Sequence, residues 1–182
     1  MTSRKFVLLF FLIFFNVLIL KSQVLGRLRI DTTKSKVPYF ELEDINFKKI
    51  KQTDLIGKVV VLNFWGPNCP PCVEEIPELN KVVKNFKSKN VEFIGICPLN
   101  QRPSFTTDKY GELRKFIKTK EFLYRICPVD DIKLVKAFKI GALPTHIIID
   151  KSGNIVYKCF GIVYANDFSK LINNVLIKNS IK

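Results

Sequence analysis

The residues best suited to chemistry are Cys69-Pro70-Pro71-Cys72. An apolar run, Val59 to Leu62, leads through Asn63, Phe64 and Trp65 and has the length of a strand. Gly66-Pro67-Asn68 ends it. Directly after the cysteines, Ile76, Leu79, Val83 and Phe86 recur at spacings of three and four, which predicts one apolar helix face. The pair therefore falls where a buried strand turns into a helix. A sulfur at a helix N-terminus faces backbone N–H groups without partners and the positive end of the helix dipole, and both favour thiolate over thiol. Cys72 follows one turn later, at a separation of about 5–6 Å that a disulfide accepts. The spacing predicts an exposed nucleophile, Cys69, and a sheltered resolving thiol, Cys72, that open and close one bond. Pro70 and Pro71 are tolerated because first-turn N–H groups lack helical partners. Pro71 also removes one donor that would have faced the Cys69 sulfur. The alternatives are a structural disulfide or half of a zinc site. Zinc normally takes a second Cys/His pair, whereas Cys97, Cys127, Cys159 and His146 stand isolated.

Val59 to Pro77 resembles the thioredoxin-like proteins of the TlpA/ResA type, exported thiol–disulfide oxidoreductases. The carriers of the resemblance are Phe64-Trp65, the CPPC pair, Glu74-Glu75 and Pro77. It extends to Val37-Pro38-Tyr39-Phe40-Glu41-Leu42, to Leu55-Ile56-Gly57-Lys58, and to Gly141-Ala142-Leu143-Pro144-Thr145 followed by Ile147-Ile148-Ile149-Asp150. It covers roughly residues 37–178. The family usually has Trp just before the first cysteine and often a Trp-Ala start; here Asn68 precedes the cysteine and Gly66 follows Trp65, a departure on the substrate-facing surface.

Several roles follow from the resemblance. Glu75, three residues past Cys72, would lie beside the pair and take the proton of the buried thiol; otherwise it complements the helix dipole, as Glu74 does. Pro144 would be cis, with its loop against the cysteines and the Leu143 backbone free to pair with an extended substrate segment. Trp65 either covers the disulfide at a substrate surface or packs in the core. His146, the one histidine, reads as a satisfied strand residue. A competing reading of another class is a copper-binding metallochaperone with Cys69, Cys72 and His146 as ligands, although such proteins usually space the pair CxxxC. A thiol peroxidase would need a Thr or Ser in a TxxC setting, which Asn68 does not supply. The exchange reaction requires no cofactor or metal. Cys97 and Cys127 could bridge, but buried thiols are the simpler expectation for strand cysteines. With five cysteines, at least one is unpaired.

The elements that must position these residues alternate. Val37 to Ile56 reads as short strands and turns. Val91 to Cys97 is a strand, Asn100 to Asp108 a loop, and Tyr110, Leu113, Phe116 and Ile117 mark a helix. Phe122 to Cys127 is a strand, Pro128 to Asp130 a turn, and Asp131 caps a helix carrying Ile132, Val135 and Phe138. Thr145–Ile149 and Ile155–Phe160 form a hairpin, and Phe168, Leu171, Ile172, Val175 and Leu176 a closing helix. Pro77 should kink the first helix. The pattern predicts an α/β fold, a mixed sheet flanked by helices. It agrees with a thioredoxin fold carrying an inserted strand and helix.

Arg4 and Lys5 precede the apolar run Phe6 to Leu20, with Val24-Leu25-Gly26 acceptable for cleavage. Residues 1–26 read as a signal peptide or membrane anchor, 27–36 as a linker, and 37–182 as the thioredoxin-like domain. The domain is then periplasmic, or held at the outer face of the cytoplasmic membrane. There it would meet exported protein thiols and disulfides and draw electrons from a membrane donor, as a monomer. The net charge is +14, and removing the three positive charges of residues 1–26 leaves +11. The lysines are scattered, without a basic run interleaved with aromatics, which argues against nucleic acid as a partner.

Overall fold

The computed structural model describes residues 29–32, 34–99 and 109–178. The expected export segment and the loop Asn100 to Asp108 lie outside the described residues. No helix among the described residues is long and apolar enough to cross a membrane.

Strand β5 (Val59–Phe64) is the organising element, buried along its whole length. It pairs parallel with β6 (Val91–Pro98), and β6 parallel with β7 (Arg125–Val129). On its other side it pairs antiparallel with β8 (Thr145–Ile149), which turns back into β9 (Asn154–Phe160). Beyond β9 come β1 (Arg29–Asp31) and β2 (Ser35–Lys36), both antiparallel to it. Where the sequence reads residues 27–36 as a linker, five of them therefore extend the sheet. Their side chains carry no strand signal; the open edge of β9 supplies the partner. A separate hairpin, β3 (Glu41–Glu43) with β4 (Lys49–Lys51), leads through a 3-10 turn (Gln52–Leu55) into β5.

Alternation along β5 divides the core. Val60, Leu62 and Phe64 face one side, with Phe40, Ile50, Leu55, Ile147 and Phe138, which follows helix α4 (Ile132–Ala137). Val59 and Val61 face the other, against α2 (Ile76–Phe86) and α5 (Ala165–Lys178). Helix α1 (Pro70–Glu74) carries the cysteines and stops before α2 starts. Pro77 therefore divides the expected helix in two: it has no N–H to offer the preceding turn. The buried face of α2 is Ile76, Leu79, Val82 and Phe86, with Val83 only half-buried. Asp131 caps α4 as expected, its Oδ1 accepting from the Lys133 N–H at 2.7 Å. Strand β7 continues through Pro128 to Val129, where a turn is expected, because an edge strand tolerates the missing N–H.

Helix α3 (Lys109–Thr119) covers the β6–β7 end with an aromatic layer. Trp65 lies with its ring centre 4.6 Å from Phe122 and 5.9 Å from Phe116. Gly95 sits beneath this layer. A Cβ there would lie 2.6 Å from Ile126 Cδ1 and 3.0 Å from both Trp65 Nε1 and Tyr124 Cε2. The two rings cannot both retreat in a packed interior. Gly95→Ala is expected to destabilise the fold by about 1–3 kcal/mol, read as a lower urea midpoint at unchanged slope.

Candidate active site

Backbone hydrogen bonds fix Cys69 at the mouth of α1. Its N–H donates to the Gly66 carbonyl at 3.1 Å, and its own carbonyl accepts from Cys72 and Val73 at 2.9 and 3.1 Å. Cys69 is the N-cap residue, in extended conformation, with Pro70 and Pro71 opening the helix. The two sulfurs are bonded, with S–S at 2.09 Å and the Cα atoms 5.2 Å apart. Cys69 is half-buried and Cys72 is 1% exposed, so an incoming thiolate meets Cys69. Cys72 belongs to a buried cluster with Trp65, Cys97, Leu99, Leu113 and Ile126. Trp65, itself 1% exposed, packs in that cluster; its alternative role at a substrate surface has no accessible face.

The loop before β8 contributes Leu143 to the cluster that Cys69 and Cys72 also join. The Leu143–Pro144 bond is cis. Thr145 Oγ1 donates to the Ala142 carbonyl at 2.6 Å, and the Gly161 N–H donates to the Pro144 carbonyl at 3.0 Å. Leu143 is half-buried, and its Cδ1 would stand 3.7 Å from a Cβ at Gly66. The two loops therefore run close to one another at Gly66 and Leu143.

Glu75 is fully inside, at the break between α1 and α2. Its Oε1 accepts from Asn63 Nδ2 at 3.2 Å. Its Oε2 lies 3.1 Å from His146 Nε2 and accepts from the Val163 N–H at 3.2 Å. Asn63 and His146 are opposite one another in the β5–β8 ladder, and Asn63 Nδ2 is 3.1 Å from His146 Nδ1. Both ring nitrogens of His146 are thereby occupied within a buried network, and the copper reading loses its third ligand. Sequence reasoning found Glu75 and His146 separately but missed Asn63 and their connection. The available signal was one amide in an otherwise apolar buried strand, which must find partners.

The remaining cysteines are buried free thiols. Cys127 stands beside Ile96, and Cys97 one residue further along β6 beside Pro128. Cys97 joins the cluster under the disulfide while Cys127 joins the opposite face, so no bridge forms between them. Burial pushes each of Cys97, Cys127 and Cys159 up to about 12, which keeps all three protonated.

The geometry is that of a disulfide that external thiols can reach at one sulfur, and comparison with known proteins agrees. The AhpC/TSA family model matches residues 33–158. The chain belongs to the AhpC/TSA family. Within it, the chain is 32% identical over 126 residues to the thiol-disulfide oxidoreductase ResA of Bacillus cereus, covering 69% of this chain and 68% of that protein. Against ResA of Bacillus subtilis it is 33% identical over 122 residues, covering 67% and 64%. A thiol:disulfide interchange protein of the thioredoxin family from Chlorobium tepidum superposes with a TM-score of 0.67 at 27% identity, covering 80% of this chain and 99% of that one. This AhpC/TSA member is a thiol–disulfide oxidoreductase with a thioredoxin fold, similar to ResA.

Two measurements check the site. After reduction, titration of the native protein with 5,5′-dithiobis(2-nitrobenzoate) should release two chromophores, one when Cys69 reacts and one when Cys72 resolves the mixed disulfide; unfolding should raise the count to five. Glu78 accepts from the Ala165 N–H at 2.9 Å and pairs with Lys81, and these bonds, Lys81 first, hold its carboxyl below the ordinary value of 4.5. Its contribution is therefore complete above pH 4.5 and lost as pH falls through the lower folded value. The stability difference between wild type and Glu78→Gln should be present at neutral pH and close in acid.

Proposed function

We propose that the chain works outside the cytosol as a reductant of exported protein disulfides, of the type that keeps cysteines reduced for haem attachment in cytochrome c maturation. The observation that carries the chemistry is the Cys69–Cys72 disulfide at the start of α1, with one sulfur accessible and the other buried. The similarity to ResA supports the direction of electron flow, and the apolar run Phe6 to Leu20 supports export, with residues 1–26 as signal or anchor. A membrane donor would return the electrons, and the domain would act as a monomer.

In the reducing direction, the Cys69 thiolate attacks a substrate disulfide and one substrate thiolate leaves. Cys72 loses its proton and attacks Cys69 Sγ. The mixed disulfide breaks, the second substrate thiolate leaves and takes a proton from solvent, and Cys69–Cys72 closes. Two electrons have passed from the pair to the substrate. Glu75, one turn beyond Cys72, would take the Cys72 proton. Leu143 and Pro144 would hold the substrate chain, as an added strand beside the disulfide.

Cys72→Ala should accumulate mixed disulfides through Cys69 with exported proteins, released by dithiothreitol and identified by mass spectrometry. Cys69→Ala should trap none. A wild-type pair found wholly oxidised in cells would turn the assignment from reductant to oxidase.

A further inference from the structure

Leu143 and Pro144 can seat a substrate chain only if their loop keeps its place. We propose that Lys158 is a positioning residue for that loop: from β9 it fixes the peptide units at the end of α4 from which residues 139–144 depart, and Asp31 of β1 supports it. The inference rests on the thiol–disulfide reading of Cys69 and Cys72 and on the substrate role given to Leu143 and Pro144.

Lys158 is half-buried at a place where the sheet calls for an apolar residue. Its ladder partner in β8 is Ile147, a member of the core cluster that includes Phe138, and residues opposite one another in a ladder share a face. A cation on such a face must find acceptors. The Lys158 ammonium lies 5.3 Å from the centre of the Phe160 ring. It donates to the Phe138 carbonyl at 3.0 Å and to the Lys139 carbonyl at 2.7 Å.

Those carbonyls belong to the turn that ends α4. The N–H groups of Phe138, Lys139 and Ile140 donate back to Leu134, Lys136 and Val135 at 3.0, 2.9 and 3.0 Å. Lys139 has φ of 50°, the left-handed conformation that glycine usually supplies just past a helix. One ammonium thus takes both carbonyls of a turn whose own residue type does not favour it. Ile140 to Leu143 then lead to Pro144. At that end Thr145 Oγ1 donates to the Ala142 carbonyl, and the Gly161 N–H donates to the Pro144 carbonyl. Gly161 directly follows β9, so the same strand grips the loop at its start through Lys158 and at its finish through Gly161. Between the grips, Gly141 and Ala142 are exposed and have little packing of their own.

Asp31 extends the arrangement to β1. It stands opposite Lys158 in the β1–β9 ladder. Burial lowers the Lys158 pKa from its ordinary value of 10.5, the Asp31 charge opposes that fall, and the Lys139 charge adds to it. The Asp31 carboxylate therefore favours the charged ammonium, whose three N–H bonds are the donors that the turn uses.

The test compares two disulfides in the full chain. Insulin offers a polypeptide that can pair along Leu143, whereas 5,5′-dithiobis(2-nitrobenzoate) has no chain to pair. In dithiothreitol-driven reduction of insulin, Lys158→Met should raise KM roughly three- to tenfold with kcat little changed. Its rate with the small disulfide should stay at the wild-type value. Lys158→Arg keeps the donors and should restore most of the affinity, and Asp31→Asn should fall between. A second measurement needs no substrate. By NMR, exchange of the Gly161 amide should quicken roughly tenfold in Lys158→Met, while the amides of β5 keep their protection. A wild-type Gly161 exchange rate overturns the inference. So does an equal loss toward both disulfides, which would mean that Lys158 only supports the fold. A wild-type KM for insulin in Lys158→Met overturns it too, if Pro144→Ala raises that KM. If Pro144→Ala also leaves KM unchanged, the substrate role of the loop falls, and this inference with it. A disulfide that dithiothreitol cannot open would sink the redox reading itself.

Discussion

A buried carboxylate ties the working end of this molecule together. Glu75 reaches from the helix break to β5 through Asn63, to β8 through His146 and to the β9–α5 loop through the Val163 N–H. A carboxylate in an apolar interior is tolerable only when its lone pairs are filled, so the four segments are held where those donors stand. Three residues on, Glu78 clamps the same loop through the Ala165 N–H at the start of α5. The helix that carries the disulfide is thus fixed from below by side chains, while its mouth is fixed by the backbone of Cys69 itself.

The separation of the two sulfurs follows from this anchoring. Cys72 is buried in the cluster that holds Trp65, Phe116, Phe122 and Cys97. Cys69 remains half-buried at the helix N-cap. The protein therefore distinguishes two chemically identical groups by depth and by place on the helix. The same argument explains why three further cysteines can coexist with an exchanging disulfide. Each is placed where its sulfur stays protonated and out of contact with solvent.

Much of this was legible in the sequence, for local reasons. The CPPC spacing, the apolar strand before it and the prolines of the first turn act over a few residues, and each fixes its own conformation. The hairpin Thr145–Ile149 and Asn154–Phe160 declares itself by its length and by the Asp150 to Gly153 turn. What stayed hidden depends on distance. Nothing in Asn63 alone reveals that it will face a histidine 83 residues later. Gly95 looks like any strand glycine until the Trp65 and Tyr124 rings close over it. The polar residues Arg29 to Lys36 resemble a linker because their structure is supplied by the strand they meet. Trp65 was ambiguous because a ring beside a disulfide serves equally well above it or beneath it, and only burial decides.

The two outer margins of the sheet are treated differently, and this bears on which of them could accept a further strand. Along β9, residues from the chain's own leading segment occupy hydrogen-bonding positions that a foreign chain could otherwise use. Along β7, Pro128 interrupts the row of donors, and the Ile45 N–H from the neighbouring hairpin turn takes the Ile126 carbonyl. A sheet edge with free N–H and C=O groups is a template on which another chain can pair. On both margins, positions that such a chain would use are already taken or lack a donor.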